Sequence, residues 1–222
     1  MLIHPWDASL NDGEWRNWLA DGHDFGQLVA VGEAWPVIVP THFVVDGDAV
    51  LIHLARPNPI WRALEGTGSA VLSVADDYAF IPSYWRVDPS SVDATHHPGG
   101  EPVPEPVPTS YYAALQLRCR AEIIDDPAEK AALLSRQLQH FQPEGGYTSP
   151  EVDGAHGRLL AGIRGLRLEI VDVLAKFKYD NHKPAGLQIA VNEQLRTRGS
   201  TGDVAASAQQ ERRRLAEPTG LA

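Results

Sequence analysis

His53, Arg56 and Asn58 stand at His-x-x-Arg-x-Asn spacing, where the apolar run 49–54 enters a turn carrying Pro57 and Pro59. An arginine presents a planar fork of N–H donors that matches an oxyanion, and prolines stiffen the turn holding it. That equipment suits a phosphate; the competing reading of Arg56 is a structural salt bridge. Tyr84-Trp85 and Tyr111-Tyr112 supply aromatic faces, which either fill a core or lie against a ligand ring. Lys178, in the polar stretch 176–184, is either a solvated lysine or a partner for an anion.

Other chemistries lack their signatures. No glycine-rich loop opens a helix, so neither a Rossmann nor a P-loop site is indicated. His96-His97 are adjacent in a Pro/Gly stretch, and the single Cys119 is insufficient for a structural zinc site. No Gly-x-Ser-x-Gly element marks a nucleophile. Any reaction is therefore expected to be carried by a cofactor that the protein binds and orients.

Charge and composition narrow the partners. The net charge of −10 argues against a duplex-binding surface, because such surfaces draw much of their affinity from Lys and Arg on phosphates. The densest cationic cluster, Arg212-Arg213-Arg214, reads as a solvated helix face. The sequence has no run of about 18 apolar residues and no secretory signal. With one cysteine and hence no internal disulfide, a reducing, cytoplasmic setting is expected.

The elements that must position these residues are legible from pattern. The run 25–31 is strand-like, and 36–45 is apolar but interrupted by Pro40-Thr41-His42. Asp46-Gly47-Asp48 closes a hairpin onto 49–54. Further strands are predicted at 69–75, 78–86, 110–124 and 163–173, with Pro82 marking an edge or bend. Trp15, Trp18 and Leu19 give a short amphipathic helix over 9–20. Asp126-Pro127-Ala128-Glu129 starts another, with Leu133, Leu134, Leu138 and Phe141 on one face. Residues 87–108 are proline-rich and read as a long loop, a lid or a disordered segment. The fold class expected is α+β, a β-rich barrel with peripheral helices, over residues 1–184, followed by a helical extension at 185–222.

Taken together, PTHF at 40–43, the Asp46-Gly47-Asp48 hairpin, HLARPNPIW at 53–61 and VPTSYY at 107–112 resemble the FMN-binding negative transcriptional regulators, the PaiB-like flavin proteins. That family belongs to the FMN-binding split β-barrels, relatives of the pyridoxamine phosphate oxidases. The resemblance implies a homodimer holding FMN at its subunit interface. It implies that Thr41 and His42 lie on the strand against the flavin ring, although His42 also reads as a hydrogen-bonded sheet residue. It further implies that Arg56 and Asn58 hold the FMN phosphate, with His53 near the ribityl chain. Tyr84, Trp85, Tyr111, Tyr112 and Lys178 are the remaining candidate cofactor contacts, some from the partner subunit.

Two functions follow from the resemblance: a flavin-dependent oxidoreductase meeting a nicotinamide cofactor, or a flavin-binding regulator acting through a partner or DNA. The chain departs from the family at Ser110-Tyr111-Tyr112, where Trp-Asn-Tyr is common, and at Asn181-His182, where Gln and Asn are usual. Those departures leave open a different planar ligand, such as haem or a deazaflavin.

Overall fold

The computed structural model describes residues 1–87, 106–154 and 157–216. Seven strands form one sheet in the order β2-β1-β5-β6-β7-β4-β3. They are β1 (Phe25–Ala30), β2 (Val37–His42), β3 (Val44–Asp46), β4 (Ala49–Ala55), β5 (Ser69–Ile81), β6 (Thr109–Ile124) and β7 (Ile163–Lys178). The helices are α1 (Asp12–Ala20), α2 (Ile60–Thr67), α3 (Pro127–Phe141), α4 (Gly157–Ala161), α5 (Ala185–Arg198) and α6 (Thr201–Ala216). The chain divides into two compact units, one of Met1–Asp12, Ala75–Ala114 and Ala175–Ala222, the other of Gly13–Val74 and Leu115–Leu174.

In the second unit the topology follows from a single residue. β2 and β3 are opposite edges of the sheet, yet Phe43 alone separates them in sequence. Edges joined by one residue must lie side by side, so the strands roll rather than spread. Phe43 is fully buried and donates its backbone N–H to Asp24 O at 2.9 Å, which pins the corner. β1 pairs antiparallel with β2, Phe25 opposite His42, and also with β5. On the other side β4 pairs antiparallel with β3 and with β7, His53 standing opposite Gly165. The Asp46-Gly47-Asp48 turn forms as its sequence requires, Gly47 adopting φ +62°.

Local signals act as expected in the helices of this unit. Asp126 Oδ1 accepts from the N–H groups of Ala128 and Glu129, and Pro127 occupies the first turn of α3. Gly68 ends α2 in the left-handed region. Trp15, Trp18 and Leu19 bury the inner face of α1.

Three readings need correction. The strand expected over 69–75 and the separate one over 78–86 are a single 13-residue strand, β5. Asp77 takes φ +56° in mid-strand, and Asp76 Oδ1 accepts its backbone N–H, so the acidic pair bends the strand without ending it. Pro82 does end it, which puts Tyr84 and Trp85 on a 3-10 turn, Ser83–Trp85, instead of a strand. The stretch read as a polar exit starts inside β7, which runs on through Lys178.

Within the first unit α5 and α6 pack together, and Gly199 reverses the chain between them at φ +63°. Gly202, early in α6, leaves no room for a side chain: a Cβ there would meet Tyr78 O at 1.9 Å. The solvated-face reading of the cationic cluster holds at Arg212, which is exposed, and fails at Arg213, which is 1% exposed. Its guanidinium donates to Asn181 Oδ1 and to the carbonyl oxygens of Trp6 and Ala8. A cation buried this deeply must have its donors satisfied, and these acceptors take part of that role.

Candidate functional site

Five of the expected site residues gather in the second unit. β2 ends at His42 and β4 carries His53, and the meeting of the sheet edges at Phe43 brings the two imidazoles to 5.5 Å, edge to face. Phe141, the last residue of α3, meets His42 edge-on at 5.0 Å. Thr41 is buried and donates its hydroxyl to His42 O at 3.0 Å, a bond that stiffens the strand end. Burial, and then the neighbouring His53, hold the His42 ring below the ordinary histidine range, so it is neutral at pH 7.

One side chain organises His53. Gln137 on α3 donates its amide N–H to Leu51 O at 3.2 Å and so turns its own carbonyl oxygen to His53 Nδ1, at 2.5 Å. The reverse amide orientation would set two carbonyl oxygens against each other. Nδ1 therefore carries the proton, and in the neutral ring Nε2 keeps its lone pair.

These residues line a cleft of about 370 Å³, bounded by His42, His53, Leu134, Gln137, Leu138 and Phe141. The α3 members fall at i, i+3, i+4 and i+7, one helix face. A larger groove of about 690 Å³ lies between α2 and residues 31–37 and contains none of the expected site residues.

Arg56 and Asn58 follow on the turn after β4. Arg56 donates Nε–H to Ala161 O at 2.9 Å and Nη2–H to Asp125 at 3.1 Å and to Ile163 O at 3.4 Å. The salt-bridge reading of Arg56 is thus realised, while Nη1 has no partner among the described residues. Arg164 shares Asp125, adds Glu65, and lies 5.3 Å from the Trp61 ring centre. Hydrogen bonding from Arg164 holds the Asp125 carboxyl below the usual range. Asn58 Oδ1 accepts from Ile60 N at the start of α2, whose first turn carries no acid.

The remaining expected residues lie in the first unit. Tyr111 is fully buried and donates to Asp180 at 3.3 Å while accepting from Gln210; burial pushes its hydroxyl well above the ordinary range. It is a core residue. Asp180 is bonded to Arg86, whose Nη1 also reaches Val107 O at 2.6 Å. Lys178 donates to Thr109 Oγ1 at 2.7 Å, and Tyr112 presents its ring to both Lys176 and Lys178. Trp85 lies beneath Arg198 at 4.5 Å, and Tyr84 is exposed. The loop read as a lid, and His96-His97 within it, fall outside the described residues apart from its ends.

Gln137 is the site residue that sequence reasoning missed. It interrupts an apolar helix face between Leu134 and Leu138, and a polar residue in that position is the available signal.

Sheet order and flanking helices define an α+β split barrel of the flavin-binding kind. Residues 1–172 match the family described as "Putative FMN-binding domain", and the chain belongs to that family. Solved structures share the fold. The flavocytochrome Anf3 from Azotobacter vinelandii aligns with a TM-score of 0.59 at 20% identity, over 78% of this chain and 70% of that one. A FAD and haem binding protein from Mycobacterium smegmatis aligns with a TM-score of 0.59 at 19% identity, over 83% and 79%. Among curated proteins none matches the sequence. No helix among the described residues is long and apolar enough to cross a membrane.

The family's cofactor is FMN, and the residues present fit it in composition. Arg56 retains Nη1 and Asn58 retains its side-chain N–H₂ for a phosphate, beside an acid-free helix start. Thr41 and the neutral His42 ring at the end of β2, with the His53 ring beside them, are residue types suited to contact with a flavin ring and its chain.

Proposed function

We propose that the protein is an FMN-dependent oxidoreductase of the split-barrel class. Thr41 and His42 would lie against the flavin ring, His53 near the ribityl chain, and Arg56 with Asn58 at the phosphate. The observation that carries this reading is the convergence of β2 and β4. The His42 and His53 rings are 5.5 Å apart, and the Arg56–Asn58 turn leaves the end of the same strand as His53. Bound FMN supplies hydride and single-electron chemistry; the protein binds it, orients it and limits access of water. With net charge −10, a nicotinamide-dependent reductase is favoured over a direct DNA-binding regulator of the PaiB type.

A homodimer completes this proposal. The outer face of the β1–β2 ribbon carries Phe25 and Ile38, 60% and 58% exposed, with Trp35 at 82% in the adjoining turn. Exposed apolar side chains at both ends of one ribbon face suit a partner surface, and a second copy of the chain supplies one. The test is spectroscopic: FMN titration of the apoprotein, then anaerobic addition of NADH or NADPH. Binding followed by bleaching of the flavin supports the reading; a protein that ignores FMN removes it.

A further inference from the structure

The cleft beneath α3 has a chemical character of its own. Leu134, Leu138 and Phe141 form its apolar wall, and no lysine, arginine, aspartate or glutamate lines it. Gln137 has both ends of its amide committed, to Leu51 O and to His53 Nδ1. His42 is held neutral by burial and by His53, so it brings no charge that would retain an anion. The feature left over is His53 Nε2, which has no hydrogen-bond partner among the described residues. Among the described residues the unpartnered side-chain atoms sealed from solvent are Tyr179 Oη, Asn181 Nδ2 and Gln188 Oε1; His53 Nε2 is not among them and is reachable.

We propose that this cleft binds a small, neutral, apolar molecule bearing one O–H donor, of which phenol is the simplest, with His53 Nε2 accepting that hydrogen. The ligand's apolar body covers Leu134, Leu138 and Phe141. Gln137 is a positioning residue: through Leu51 O it selects the tautomer that turns His53 into an acceptor. A site arranged around an acceptor rejects an isostere that lacks the donor, because the acceptor then stays unpaired. The volume of about 370 Å³ falls within the range of small-molecule sites. This inference rests on the proposed function in that the cleft shares His42 and His53 with the proposed flavin contacts, which makes an occupant held beside bound FMN the candidate substrate.

Phenol and anisole, equal in their apolar ring but differing in the O–H, are titrated into apoprotein and into FMN-saturated protein at pH 8. Histidine ¹⁵N resonances and calorimetry provide the readout. Phenol is expected to bind about 10-fold more tightly than anisole, the worth of one hydrogen bond, and to move the His53 Nε2 resonance, which anisole leaves in place. His53→Phe is expected to reduce phenol to the anisole level. The ¹⁵N measurement on the unaltered protein stands even if that variant does not fold. Equal binding of the two ligands, or an unmoved Nε2 resonance, overturns the proposal. Displacement of phenol by FMN also overturns it and gives the cleft to the flavin ring. Loss of FMN binding with phenol discrimination intact sinks the flavin reading alone.

Discussion

His53 Nδ1 and Gln137 Oε1 lie 2.5 Å apart, although 84 residues separate them. Gln137 is buried at 3% exposure, and both of its partners belong to β4. Replacing it with Leu removes the bonds to Leu51 O and His53 Nδ1 and releases the imidazole from a single tautomer. The expected cost is about 1–3 kcal/mol for two lost hydrogen bonds. Urea denaturation measures that loss, and histidine ¹⁵N spectra should show mixed tautomers.

Arg56 is exposed enough to exchange partners and keeps Nη1 open. Arg56→Ala is expected to weaken FMN binding by roughly 1.5–3 kcal/mol, the worth of a charged hydrogen bond. Arg56→Lys should recover part of that loss, since it restores charge without the planar fork. Fluorescence titration of FMN reads both, and unchanged affinity in the alanine variant would end the phosphate assignment.

Ile38 stands opposite Val29 on the exposed face of the β1–β2 ribbon. A glutamate at position 38 places charge on the surface assigned to the second copy. The Ile38→Glu variant should run as a monomer by light scattering while its melting temperature stays close to that of the parent. A parent protein that is itself monomeric sinks the dimer.

Asp203 accepts from Arg198 and from Ser200, both backbone N–H and hydroxyl. These bonds, led by Arg198, hold its carboxyl down to about 2 from an ordinary value of 3.8. Because the folded value is the lower one, the stabilisation is fully present above about pH 4 and is lost as the pH falls through 2. Asp203→Asn should flatten this part of the acid denaturation profile. An unchanged profile between pH 4 and 2 would contradict the assignment.

Cys119 is buried in β6, and its thiol donates to Leu117 O; burial alone pushes its pKa up to about 12. Since the thiolate is the reacting species, the native protein should resist alkylation at pH 8 and react once unfolded in urea. Rapid labelling of the native form would show that β6 opens.

Local chemistry made much of the fold readable. The Asp46-Gly47-Asp48 hairpin, the Asp126-Pro127 start of α3 and the buried face of α1 form where pattern predicts them, because each is decided within a few residues. The split-barrel class and an FMN-binding family were also legible, from the order and spacing of short motifs in the sequence. Element boundaries were less so where tertiary packing overrode local signals. β5 passes through Asp76-Asp77 because Asp77 tolerates a positive φ, and Arg213 is buried because Trp6, Ala8 and Asn181 converge on it from distant sequence. The site divides along the same line. The Arg56–Asn58 turn is local and was visible as a donor set. The pairing of His42 with His53, and the choice of tautomer by Gln137, exist only once Phe43 joins the two sheet edges and α3 settles on β4. Residue types and spacing specify what each segment offers; which groups meet depends on closure of the sheet, a long-range event that no local window encodes.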